Sequence, residues 1–341
     1  MTDVVVVGAG VMGAATAREL ARRGRDVVLL ERFEIGHTNG SSHGASRIFR
    51  LSYDDPMYVR MAQEALVLWR ELEDEGGEPI LTTTGGVDVG EPALANDAAL
   101  EACGATHERM TGAQAAERFP VFAFRAEETV VHQPDAGIVH AERSVRAFAD
   151  SAVRHGAELR ERACVESIRP DGDGVTITVE GDEVRGRVAV VTAGAWARPV
   201  LSTAGVDLPV TTTRQTATYF ALPGPPPPVL VQWEALPLYA LADPGRGIKA
   251  AQHQQGAPAD PEEPGRVDEE QVARLARWVG ERFPDVDAAS HRADTCMYTN
   301  TADERFILER RGPVVIGSPC SGHGFKFAPL IGSRLADLAM A

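Results

Sequence analysis

Residues Val4 to Val7 form an unbroken β-branched run, and the six residues after them, Gly8-Ala9-Gly10-Val11-Met12-Gly13, leave that run few continuations. A strand that is apolar at successive positions is one buried on both faces, the habit of a parallel sheet. Glycines at these three spacings let the chain turn tightly, let backbone approach a pyrophosphate, and let the next helix lie close to the strand. The pattern predicts that helix over Ala14 to Arg23, stopped by Gly24, and a second strand over Asp26 to Leu30. Glu31 closes the strand 18 residues after Gly13, where a carboxylate can reach a ribose hydroxyl pair. The helix N-terminus offers unpaired N–H groups and the favourable end of its dipole to phosphate. Read together, these features describe a βαβ site for an adenine dinucleotide, with a plain glycine-rich turn as the alternative. NAD and FAD use the same unit, and these residues alone do not separate them.

Two later all-apolar runs, Val188 to Thr192 and Val314 to Gly317, predict further strands of this sheet, the first leading into Ala193-Gly194-Ala195-Trp196. Asp55-Pro56 starts an amphipathic helix over Met57 to Glu73, with Leu66, Trp69 and Leu72 on its apolar side. A helix is also expected over Ala141 to His155 and a strand over Val175 to Val179. Pro225 to Pro228 is a stiff connector, and Gly256 to Gly265 is a polar loop. A chain of 341 residues can hold two units, so the reading is a dinucleotide domain assembled from separated segments, with the intervening ones forming a second domain over the cofactor.

A net charge of −15 is the wrong sign for gripping a nucleic-acid backbone, and no apolar run approaches the roughly 18 residues of a membrane span. Neither nucleic acid nor membrane is an expected partner. Cys103, Cys164, Cys296 and Cys320 are too scattered for a zinc or redox CxxC motif, so no metal is expected and a reducing compartment fits. Met1-Thr2-Asp3 runs straight into the first strand without the pattern of a signal peptide, and the expected location is the cytoplasm.

The polar, glycine-rich segment His37 to Arg47 can wrap a phosphate or ring system with backbone donors, or can be a surface loop. Arg47 and Arg50, three apart among apolar neighbours, favour two guanidiniums entering one partly buried site, with surface ion pairs as the alternative. Of 34 basic residues only Lys249 and Lys326 are lysine. An ammonium is compact and its pKa moves on burial, so a chain that uses arginine elsewhere marks these two positions.

The stretches GAGVMG, HTNGSSHGASRIFR (His37 to Arg50), VVTAGAW (Val190 to Trp196), TCMYTNTADERFI (Thr295 to Ile307) and SGHGFKF (Ser321 to Phe327) occur in the order found in the sarcosine oxidase family of flavin amine oxidases, which this chain resembles over nearly its whole length. The resemblance implies an α/β fold with an α+β second domain. A Rossmann-type FAD-binding domain over 1–80, 139–205 and 292–341 would be interleaved with a mixed-sheet substrate domain over 81–138 and 206–291. It implies FAD held covalently through Cys296, with Cys320 as a competing thiol. Further cofactor contacts would come from Gly8, Gly10, Val11, Met12, Gly13, Glu31, Arg32, Ser41, Ser42, Ser46, Arg47, Val165, Ala193, Gly194, Trp196, Gly322, His323, Gly324 and Lys326. Arg50 and Lys326 would hold the substrate carboxylate, with Tyr298 and Tyr239 lining that pocket. Lys249 would promote oxygen reduction, Arg47 would lie near the flavin ring, and His253 beside the substrate amine.

The activity so implied is oxidation of an N-methyl or cyclic secondary amino acid to an imine, with O2 reduced to H2O2, by a monomer. A dehydrogenase of the same fold with another electron acceptor, a non-catalytic flavoprotein subunit and an NAD-dependent dehydrogenase are the competing readings. Trp233, Leu238 and Tyr239 are candidates either for the pocket wall or for the core.

Overall fold

The computed structural model describes residues 1–234, 237–254, 256–289 and 291–341. Thr2–Val7 lies at the centre of an eight-stranded sheet, flanked in parallel by Val27–Leu30 and by the second half of Asp182–Val191. Glu158–Arg160 and Val314–Ser318 extend the parallel part on either side. Val4 to Val7 are all buried, because helices cover one face and apolar strands and loops the other. The helix after the glycine turn runs over Val11–Arg22, three residues earlier than the periodicity predicts, since Gly10 already serves as its N-cap. It packs against Ala141–Arg154 and Ala328–Met340.

The expected strand over Val188 to Thr192 is the far end of a longer one. Asp182–Val191 first pairs antiparallel with Gly174–Val179, then joins the parallel sheet. Polar residues Asp182, Glu183, Arg185 and Arg187 mask its first half in the sequence. Pro56–Gly76 forms the long helix, capped by Asp55, whose carboxylate accepts from Met57 N at 2.8 Å, and ended by Gly77 at φ 71°. Trp69 and Leu72 are fully buried on it, and Leu66 lies half-buried at the edge of the same face.

A nine-stranded mixed sheet forms the second layer system, built around Thr211–Phe220, Gly247–Gln252 and Leu238–Asp243. His291–Asn300 pairs with Thr211–Phe220 over ten rungs, so Cys296 and Tyr298 stand on this sheet and face the first one. A small antiparallel sheet, Ser46–Phe49, Gly137–His140 and Leu81–Thr83, bridges the two. Among the described residues no helix is long and apolar enough to cross a membrane, and no cluster of side chains could hold a metal ion.

Candidate active site

Two cavities meet between the sheets, and Arg47, Cys296 and Tyr298 line both. The first begins at the glycine turn. Gly8 has φ 92°, and a Cβ on Gly13 would stand 1.8 Å from the Gly8 carbonyl oxygen, so strand and helix approach as only glycine allows. Glu31 is buried, its two oxygens accepting from Ala9 N at 2.8 Å and Phe33 N at 2.9 Å. Both oxygens keep lone pairs for further donors. Ser42 Oγ accepts from Val11 N at 3.1 Å, which draws the polar segment over the helix N-terminus. Gly8, Gly10, Val11, Met12, Glu31, Arg32, Ser41, Ser42, Val165, Ala193, Gly194, Trp196, Gly322 and Gly324 all line this cavity; Gly13 supports it from behind.

Ser46 departs from its expected place at a cofactor. It is buried away from both cavities, and its hydroxyl donates to the Ala242 carbonyl at 2.7 Å, pinning the small sheet to Leu238–Asp243. His323 and Lys326 line the second cavity and not the first, whereas Gly322 lines both and Gly324 only the first.

The second cavity, of about 870 Å³, gathers the cations. Arg47 donates to the carbonyls of Ser41, His43 and Ser46 and lies over the Phe325 ring at 5.6 Å. Arg50 lies 4.1 Å from the Tyr53 ring centre and 5.2 Å from that of Trp233. Lys326 Nζ donates to the Tyr53 hydroxyl at 2.9 Å and the His323 carbonyl at 2.6 Å. Burial, then the nearby Arg50 charge, holds its pKa well below that of an ordinary amine. Arg47, Arg50 and Lys326 form no ion pair with Asp or Glu among the described residues. The surface-pair alternative for the two arginines is therefore not what the chain does with them.

Lys249 is buried on Gly247–Gln252, and burial together with Arg47 lowers its pKa to about 7. Tyr239 and Tyr298 share a hydroxyl contact of 3.3 Å; burial pushes Tyr239 up to about 12. His253 stands 5.9 Å from the Tyr298 ring, with Nε2 3.3 Å from a Glu304 carboxylate oxygen. His323, stacked on Phe306, is driven down to about 3 by burial and then by Lys326. Burial pushes the Cys296 thiol up, against the opposing effect of Arg47 and Lys249. Cys320 lines the first cavity alone, its sulfur accepting from Thr299 N at 3.4 Å.

Trp233 and Tyr239 prove to be cavity wall, whereas Leu238 packs into the core. Sequence reasoning passed over Tyr53, Tyr219, Phe325 and Glu262. Tyr53 belongs to no motif, and Glu262 looks like one more loop carboxylate until Arg32 and Trp196 converge on it. Phe325 lies within SGHGFKF, so that motif could have flagged it.

The first cavity fits FAD on its own chemistry. A glycine cradle and open helix N-terminus suit the pyrophosphate and a buried carboxylate suits the ribose. On the wall the buried Ser318 hydroxyl has no partner among the described residues. The cavity continues from the glycine turn to Arg47 and Cys296.

Fold and site define a flavin-dependent oxidoreductase. Residues 3–338 match the model of the FAD dependent oxidoreductase (DAO) family, and the chain belongs to that family, among the amine oxidases of sarcosine-oxidase-like type that oxidise CH–NH bonds. It is similar to a monomeric sarcosine oxidase of Streptomyces avermitilis, 35% identical over 99% of this chain and 93% of the relative. It is also similar to the human peroxisomal sarcosine oxidase, 32% identical over 99% and 92%. Among solved structures, NikD, described as an unusual amino acid oxidase essential for nikkomycin biosynthesis, superposes with a TM-score of 0.88 at 27% identity, over 99% of this chain and 93% of that one.

Proposed function

We propose that the protein oxidises a small secondary amino acid, N-methylated or cyclic, to an imine that water hydrolyses to aldehyde and amine, and that O2 is the electron acceptor and H2O2 the second product. The observation that carries this reading is the pair Arg50 and Lys326. These two cations lack an Asp or Glu ion-pair partner among the described residues, and they stand in a cavity that shares Cys296 with the cofactor cavity.

FAD held in the first cavity by the glycine turn, Glu31 and Cys296 would supply the redox chemistry, a two-electron oxidation of the substrate C–H bond coupled to reduction of oxygen. The chain's part is orientation and charge. Arg50 and Lys326 bind the carboxylate with charge-assisted hydrogen bonds and so set which C–H bond is presented. The surrounding cations disfavour an ammonium on the substrate, so the amine is held neutral with its lone pair available. His253 accepts a hydrogen bond from that amine, and the Tyr239–Tyr298 pair closes the wall beside it. Lys249, with Arg47 near it, stabilises the negative charge that develops on oxygen as it is reduced. Cys296 is the thiol we assign to a covalent FAD link, since it alone of the four cysteines lines both cavities.

The test is a peroxide-coupled screen of sarcosine, other N-methyl amino acids, proline and pipecolate, read as relative kcat/KM. Turnover with stoichiometric oxygen uptake supports the reading; turnover only with an artificial acceptor would assign a dehydrogenase instead.

A further inference from the structure

Asp88 is fully buried on the strand Gly86–Val89, outside the walls of both cavities. Both of its oxygens are engaged. Oδ1 accepts from the indole Nε1 of Trp233 at 2.7 Å, and Oδ2 accepts from Gln133 Nε2 at 2.8 Å. Gln133 in turn uses its amide oxygen to accept from Leu51 N at 2.7 Å and Ser52 N at 3.0 Å, the two residues that follow Arg50. Arg50 itself rests between Trp233 and Tyr53, and its Nη1 donates to Ser52 Oγ at 3.3 Å. One buried carboxylate therefore reaches Arg50 from two sides, through the indole beside the guanidinium and through Gln133 to the backbone that carries it.

A buried carboxylate is costly unless donors and a nearby cation offset its lost hydration. Here the geometry also requires an acceptor at both oxygens. The Gln133 amide cannot turn over without stranding the N–H groups of Leu51 and Ser52, so its NH2 must point at position 88 while the Trp233 N–H points there too. An amide at 88 would satisfy one donor and oppose the other. A purely structural polar contact would not need to end on the ring and the backbone that flank Arg50, an arginine of the cavity wall.

We propose that Asp88 is a positioning residue of the carboxylate site: it locks the Trp233 indole and, through Gln133, the backbone at Arg50, so that the guanidinium presents its free N–H groups to the substrate carboxylate. The inference rests on the reading of Arg50 as the carboxylate anchor.

The experiment titrates cyclopentanecarboxylate, a ring carboxylate without an oxidisable amine, into the FAD-loaded protein by calorimetry. Binding by the parent that is lost in Arg50→Met supports the carboxylate site; the absence of that difference overturns the Arg50 reading and this inference with it. Given the site, Asp88→Asn is expected to weaken the probe at least about tenfold, the scale of one charge-assisted hydrogen bond. The double variant Asp88→Asn with Gln133→Glu is expected to regain most of that loss. In it the amide at 88 still accepts from Trp233 and now donates to the carboxylate at 133, which accepts from Leu51 and Ser52. Should Asp88→Asn fail to fold, Trp233→Phe removes only one of the two links and is expected to weaken the probe at least about threefold. Unchanged affinity in the folded single variant, or a folded double variant no tighter than Asp88→Asn, overturns the role of Asp88 while the Arg50 reading stands.

Discussion

The ammonium of Lys249 donates to the carbonyl oxygen of Ser46 at 2.6 Å, a buried bond between residues 203 positions apart. It ties Gly247–Gln252 to the small bridging sheet and fixes Nζ beside Arg47. A charge held this way needs no reorganisation when a neighbouring group turns anionic.

Lys249→Met is therefore expected to slow the oxygen half-reaction by at least about a hundredfold, the scale of losing one preorganised electrostatic donor, and to affect anaerobic reduction by substrate far less. Stopped-flow measurement of the two half-reactions checks this. Equal slowing of both would indicate a structural role for the side chain.

The pH dependence has a definite sign. With a pKa lowered to about 7, Lys249 is an ammonium below that pH and a neutral amine above it. The oxygen half-reaction of the parent should fall as pH rises through about 7, and Lys249→Met should lack that limb. An identical limb in both proteins assigns the titration to another group.

Lys326 holds its position by donating to Tyr53 and the His323 carbonyl, and it stands under Trp69, whose Nε1 donates to the Lys326 carbonyl at 2.8 Å. Lys326→Met should weaken small carboxylate inhibitors by about tenfold or more, since a charge-assisted bond is worth roughly 1.5–3 kcal/mol. Inhibitor titration of FAD-loaded protein is the check, and parental affinity in the variant would remove Lys326 from the carboxylate site.

The covalent link assigned to Cys296 predicts that yellow colour stays with the precipitate after acid denaturation of the parent and of Cys320→Ser, and passes to the supernatant for Cys296→Ser. Mass spectrometry of the Cys296 peptide reads the same outcome directly. Release of all colour from the parent, with that peptide unmodified, refutes the assignment.

Gly13→Ala places a methyl 1.8 Å from the Gly8 carbonyl and 2.6 Å from Thr192 Oγ1. Neither group is free to retreat, because Gly8 begins the turn and Thr192 Oγ1 donates to the carbonyls of Val7 and Gly8. Destabilisation of about 1–3 kcal/mol or more is expected, the range for overpacking, together with loss of FAD on purification. A thermal melt and a visible spectrum report the two effects.

What the sequence alone determined is local. An apolar run, a glycine triplet and an acid at fixed spacing are chemistry carried by neighbours, so the βαβ unit and the fold class could be read before any contact was known. The segments around Arg47, Cys296 and Lys326 were legible for a different reason: as motifs shared with a family. The boundaries that slipped, at Val11 and at Asp182, did so where a glycine cap or a polar hairpin face broke the hydrophobic pattern.

Only the tertiary structure decided the rest. Ser46 and Lys326 stand in equally suggestive motifs, yet one hydroxyl is spent on the Ala242 carbonyl while the other side chain enters the cavity. Tyr53, Trp233 and Asp88 belong to no common pattern, and they meet at Arg50 because a strand, a helix start and a second sheet converge there. Spacing along a chain can specify a turn or an amphipathic face. It cannot specify which buried donor finds which acceptor across tens or hundreds of residues, because that choice is made by packing, when every polar group carried out of water must end on a partner.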